Sequence, residues 1–181
     1  MNAFFKRQLA DYVEYHRDPL NCAMHVFGII ALFFAAILPL SLVPIDAFGV
    51  HTSLALILAL PALAYWLMLD AAIGAAILGT AVVLLSAASF VASHASLAIL
   101  WSVTVMLIIA GIAFQVVGHR VFERRQPALV DNPSHLLLGP MFVTAKLFIA
   151  LGLRRDLADI IQTVPPSSSS REHQAGPLPR S

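Results

Sequence analysis

Four long apolar stretches constrain this chain more than any other feature. They run from about Ala23 to Val43, Thr52 to Leu69, Ala71 to Ala92 and Leu97 to Val117. Roughly 20 apolar residues of helix match the thickness of a bilayer's hydrocarbon core. Inside lipid every backbone N–H and C=O must find its partner within the segment, and a helix is the local way to do so. Composition points the same way, because 59% of the residues are hydrophobic, only 12% are charged and the net charge is +1. An all-α, multi-pass membrane bundle of about four transmembrane helices is the expected fold class. No basic stripe exists, which argues against a nucleic-acid partner. Cys22 is the single cysteine, so no disulfide can form within the chain.

Between the apolar stretches the chain is punctuated by recognisable signals. Met1 to Arg17 reads as a short amphipathic helix for the membrane surface, with Phe4, Phe5, Leu9, Tyr12 and Val13 on one side. Lys6, Arg7, Asp11 and Glu14 oppose them, and nothing here resembles a cleavable signal peptide. Asp18-Pro19 stops this helix and starts the next, an N-cap followed by proline at the first position. Pro44 to His51 and Ser93 to Ser96 are expected to be short loops, and Pro61 to kink the second span. Gly74, Ala75, Gly79 and Ala81 let neighbours approach the third. Leu136 to Leu153 is apolar but broken by Gly139, Pro140 and Lys146, and reads as interfacial or re-entrant. Residues 1–162 form one domain, and Thr163 to Ser181, rich in Pro and Ser, a disordered tail.

Charge placement orients the chain. Lys6, Arg7 and Arg17 precede the first span, and Arg120, Arg124 and Arg125 follow the fourth. The two loops on the other side carry no Lys or Arg. Four crossings therefore place both termini in the cytoplasm, at the inner membrane of a bacterium or the endoplasmic reticulum of a eukaryote. His16, His25, Asp70, His119, Glu123, Asp131 and His135 then all fall at the cytoplasmic ends of their segments. His51 and His94 fall on the far side, and with His173 they read as ordinary polar residues.

A lone histidine at headgroup level is usually an amphipathic surface residue. Four brought to one leaflet by separate segments suggest a metal site, with Fe, Zn or Cu favoured over Mg or Ca. On an α-helix continuing through the fourth span, His119 and Glu123 stand one turn apart. Asn21 with His25, and Gln115 with His119, share the same spacing, so each amide is a candidate for orienting its imidazole. Asp70 caps the turn between two spans or contributes to the site. Cys22 reads as a packed apolar residue. No His-Glu-x-x-His sequence is present, and seven histidines are too few for the repeated boxes of membrane desaturases. Two other classes stay open: a b-type haem protein using His25 and His119, and a non-catalytic lipid-binding or scaffold protein.

Several ordered motifs carry a resemblance. They are Tyr15-His16-Arg17-Asp18-Pro19 with Asn21, His25 and Gly28; Tyr65-Trp66 with Leu69-Asp70 and Gly74; and Gln115 with Gly118-His119, Phe122-Glu123, Arg125, Pro127-Ala128-Leu129 and Asp131-Asn132. Leu137, Gly139-Pro140 and Phe142-Val143 complete the set. Together they resemble the Mpo-type 2-hydroxy fatty acid dioxygenase family, in order, over roughly Tyr12 to Leu151.

That resemblance implies an Fe(II)-dependent membrane dioxygenase. It would use O2 to shorten a 2-hydroxy fatty acid, or a related 2-hydroxyacyl lipid, by one carbon with release of CO2 (alpha-oxidation). Carried over by position, His16, His25, His119 and His135 are the candidate iron ligands. Asn21, Asp70, Gln115, Glu123, Asp131 and Asn132 would support them, and Arg17, Arg120 or Arg124 would hold the substrate carboxylate. Lys146 stands where many members carry an acidic residue, which marks the last segment as a point of departure.

Overall fold

The computed structural model describes residues 3–13, 15–47, 49–124, 135–154 and 156–158. Helices α1 (Ala3–Val13), α2 (Pro19–Leu40), α3 (Leu54–Leu69), α4 (Ala71–His94) and α5 (Leu97–Val117) follow in chain order. A π-helical segment, Gly118–Glu123, continues α5, and α6 covers His135–Ala150. Among the described residues three helical stretches are long and apolar enough to cross a membrane: Pro19–Leu40, Ala71–His94 and Leu97–Glu123. α3, with 16 residues, falls short of them.

The shortening of α3 has a local cause. The expected loop from Pro44 contains two strands, β1 (Pro44–Ala47) and β2 (Val50–Ser53), paired antiparallel with Ile45 opposite Thr52. Ladder pairing consumes Thr52 and Ser53, and the Ser53 hydroxyl then accepts from the Leu56 amide as the N-cap of α3. The β-branched Ile45, Val50 and Thr52 favour strand over loop.

Caps explain the remaining boundaries. Asp18 accepts from the Leu20 and Asn21 amides, with Pro19 at the first position of α2, as the sequence anticipates. Asp70 alone separates α3 from α4. Its amide bonds Trp66 O, while Oδ1 accepts from Ala72 N and Ile73 N, so one residue ends one helix and begins the next.

Two glycines bring α2 and α5 together. A Cβ on Gly28 would lie 2.7 Å from Gln115 Nε2 and 3.1 Å from Gly111 O, and one on Gly111 would strike Leu32. Backbones this close set His25 and His119 on facing helices within reach of each other. The main core joins Phe5, Leu9, Tyr12 and Val13 of α1 to Leu138, Met141, Phe142 and Ala145 of α6, and continues into Leu63, Trp66, Ile73 and Ile77. Phe4, grouped with the apolar face in the sequence, is exposed instead. Trp66 Nε1 donates to Leu137 O at the start of α6, and Arg154, just beyond its end, pairs with Asp70. Both ends of α6 are thus tied to the last turn of α3.

Candidate metal centre

The break between α1 and α2 is what makes a site. It frees His16 from the helical phase of His25, so their rings meet with centroids 4.3 Å apart. His119, from the π-helical turn after α5, stands 4.8 Å from His16 and 5.6 Å from His25. Interplanar angles of 61°, 76° and 86° exclude face-to-face stacking. One ligand atom from each residue lies within 4.8 Å of the others.

Burial and hydrogen bonding decide what these rings can do. His16 is 1% exposed, His25 8% and His119 1%. His16 Nε2, His25 Nδ1 and His119 Nδ1 are buried without a hydrogen-bond partner. An unpaired buried imidazole nitrogen costs about 1–3 kcal/mol. Three at one point fit a cation, which would satisfy them together. Burial first, and then the neighbouring His25 ring, hold the His16 imidazole well below its ordinary 6.5. The ring is therefore neutral, the form that binds metal.

Tyr12 sets the geometry of two of the three rings. Its carbonyl accepts from His16 Nδ1 at 2.9 Å, which places the proton on Nδ1 and leaves the Nε2 lone pair free. Its hydroxyl lies 2.5 Å from His25 Nε2. If Nε2–H donates to the phenol oxygen, Nδ1 of His25 keeps its lone pair. The phenol ring also stacks on His16, with centroids 4.2 Å apart and planes 8° from parallel. Burial pushes the Tyr12 hydroxyl well above its ordinary range and keeps it protonated. In the sequence Tyr12 reads only as part of an apolar face. The available signal was its place one turn before His16, where a helix puts a carbonyl next to the following imidazole.

The supporting residues are arranged differently from their sequence spacing. Asn21 does not turn to His25: Nδ2 donates to Glu123 Oε1 at 3.1 Å and to Tyr15 O at 3.4 Å. Gln115 reaches across to the backbone carbonyl of His25, rather than along its own helix to His119. Glu123 Oε1 accepts from the Arg17 amide at 2.6 Å and the Asp18 amide at 2.7 Å, fastening the α1–α2 break to the end of α5. The helix bearing it is π-helical, and the Arg124 amide closes on His119 O with Arg124 in the left-handed region at φ 53°. Widened turns of this kind re-aim side chains and are frequent at functional sites.

Asp70 lies outside the triad. Its oxygens accept from Arg154 Nη1 and Nη2, each at 3.1 Å, and Arg154 also holds Asp156. Arg17, Arg120 and Arg124 are exposed. Asp131 and Asn132 lie outside the described residues, as does the chain from 159 on. His135 opens α6, but its side chain is also outside them. Cys22 is buried as expected, its thiol donating to His16 O at 3.3 Å. Lys146 Nζ donates to that sulfur at 2.9 Å and sits 5.2 Å from the Phe142 ring centre.

Fold and site together define a helical bundle with three helices long and apolar enough to cross a membrane and a buried, metal-competent imidazole triad. The chain belongs to the Mpo1-like family, since the family model described as "2-hydroxy-palmitic acid dioxygenase Mpo1-like" matches residues 2–151. It is also 49% identical over 43 residues to the 2-hydroxy-palmitic acid dioxygenase MPO1 of Saccharomyces cerevisiae. That match covers 23% of this chain and 25% of the yeast protein. No solved structure matches the chain.

Proposed function

We propose that this protein is a membrane Fe(II)-dependent dioxygenase that converts a 2-hydroxy fatty acid, or a related 2-hydroxyacyl lipid, to the acid one carbon shorter. The observation that carries the reading is the convergence of three unpartnered, buried imidazole nitrogens in a member of this family. His16 through Nε2, and His25 and His119 through Nδ1, would hold the ion. His135, opening α6, is the proposed fourth ligand. Bound Fe(II) would supply the redox centre that activates O2 and open positions for the hydroxyl and carboxylate of the substrate.

The stoichiometry closes without another reductant. R-CH(OH)-COOH and O2 give R-COOH, CO2 and H2O. The bond between the hydroxyl-bearing carbon and the carboxyl carbon breaks. The substrate loses four electrons and O2 takes up four. The protein's part is to bind and orient. Tyr12 fixes two imidazoles, and Glu123 with Asn21 holds the backbone break beneath them. Arg17, Arg120 and Arg124 are proposed to hold the substrate carboxylate, and Asp131 and Asn132 to support the ligands. Asp70 would act at one remove, by anchoring the segment that follows α6 through Arg154.

Four crossings, with α3 as the shortest, would put the triad and both termini at the cytoplasmic face, with α6 lying across that end of the bundle. A haem would need a slot between His25 and His119, and the His16 ring packs against both. That weighs against the b-type reading. The test is anaerobic loading with Fe(II), then air and 2-hydroxypalmitate, with products followed by mass spectrometry. A C15 acid and CO2 are expected. Recovery of intact substrate over a range of chain lengths would refute the reaction.

A further inference from the structure

We infer that the apolar cavity between α2, α3, α4 and α6 is an acyl-chain chamber entered from the histidine triad, and that its depth selects chain length. The inference rests on the dioxygenase reading for the head group, while the chamber itself is argued from its walls. The cavity holds about 400 Å³, within the range of small-molecule sites. Its lining is aliphatic and aromatic except for Thr80 and Thr144. Both hydroxyls donate back along their own helices, to Ala76 O and Pro140 O. No polar side chain is left to receive a polar ligand, so the occupant is a hydrocarbon chain.

Continuity with the triad supplies the direction. Val26 and Ile29 line the near end, immediately after His25 and one turn beyond it on α2. Gly139 packs α6 closely against α2 there: a Cβ on it would collide with Ile29 Cδ1 and stand 3.4 Å from the Tyr12 hydroxyl that bonds His25, so the near end of the cavity lies next to the triad. α6 therefore turns Met141, Phe142 and Ala145 to α1 and Pro140, Val143 and Leu147 to the chamber. From Val26 to Leu40 the α2 wall extends about 21 Å at the α-helical rise. That is the reach of a long acyl chain. Trp66 lies along the wall, and Ala59 sits about 10 Å deeper on α3.

Of the chain's 2 tryptophans, Trp66 lines the chamber and Trp101 is an exposed residue of α5. The experiment uses full-length Trp101→Phe protein, metal-free and in nonionic micelles, titrated with 2-hydroxy fatty acids brominated at mid-chain. Saturable quenching of Trp66 near one equivalent is expected. Ala59→Phe should weaken binding of long chains about tenfold or more while sparing short ones. Non-saturating quenching, the behaviour of a tail merely dissolved in the micelle, would overturn the chamber. So would an Ala59→Phe protein whose length preference matches its parent. Should Ala59→Phe fail to fold, a series of bromine positions on the Trp101→Phe protein still separates a seated chain from a dissolved one. Saturable quenching without one-carbon shortening by iron-loaded enzyme upholds the chamber and rejects the reaction. Shortening without saturable quenching does the reverse.

Discussion

The hydroxyl of Tyr12 lies 2.5 Å from Nε2 of His25, and the carbonyl of the same residue accepts from His16. One residue of α1 therefore fixes the orientation of two imidazoles, one in the α1–α2 break and one on α2. Outer-sphere partners of metal-binding histidines typically contribute 10–100-fold in affinity. Tyr12→Phe keeps the ring that stacks on His16 and deletes only the hydroxyl. We predict metal affinity about 10–100-fold weaker with the fold intact, read by competition titration against a chelator. Unchanged affinity would show that Tyr12 only packs.

His16→Ala, His25→Ala and His119→Ala should each abolish retention of about one ion per chain. His51→Ala and His94→Ala should not, because both rings are exposed and far along the sequence from the triad. Elemental analysis of purified variants decides this. Full occupancy in all three triad variants would remove the site.

Glu123 acts through the backbone. Its Oε1 accepts from two successive amides and from Asn21, so Glu123→Ala leaves those donors unmet at the α1–α2 break. A loss of about 1–3 kcal/mol is expected, together with weakened metal retention. Arg120→Ala should leave stability within about 0.5 kcal/mol. Thermal unfolding in detergent, metal-loaded and metal-free, separates the two effects.

Acid should act through Asp70. Burial alone would raise its carboxyl; the hydrogen bonds from Arg154 and the Ile73 amide outweigh it and hold the group below its ordinary 3.8. The folded value is depressed, so the contribution to stability is complete above 3.8 and is lost as pH falls through the folded value. Asp70→Asn should flatten stability against pH below 3.8 and cost about 1–3 kcal/mol at neutral pH. An unchanged acid limb in the variant would assign that limb to other groups.

Much of this was legible in the sequence, where local chemistry decides. The apolar run lengths pointed to the helices, Asp18-Pro19 to the break, and the reading that set His16, His25, His119 and His135 at one end of the bundle includes the three imidazoles that meet. What escaped depends on partners distant in the chain. Helical spacing joins Gln115 to His119, yet close approach of α2 and α5 at Gly28 and Gly111 hands the amide to His25 O instead. The same spacing sets Glu123 one turn from His119, and the fold gives its carboxylate to amides 106 and 105 residues away. Strand pairing in Pro44–Ser53 was hidden because a short β-ladder between long apolar helices has little sequence pattern of its own.

The carboxylate clasp across 106 residues has a consequence for biosynthesis. While the ribosome has made only the first half of the chain, two of the three imidazoles exist and the turn between them still lacks the Glu123 clasp. An ion held by all three imidazoles would be captured only after α5 and its widened last turn have emerged. Loading would thus be a late event, and chains stalled before Leu97 should leave the ribosome metal-free.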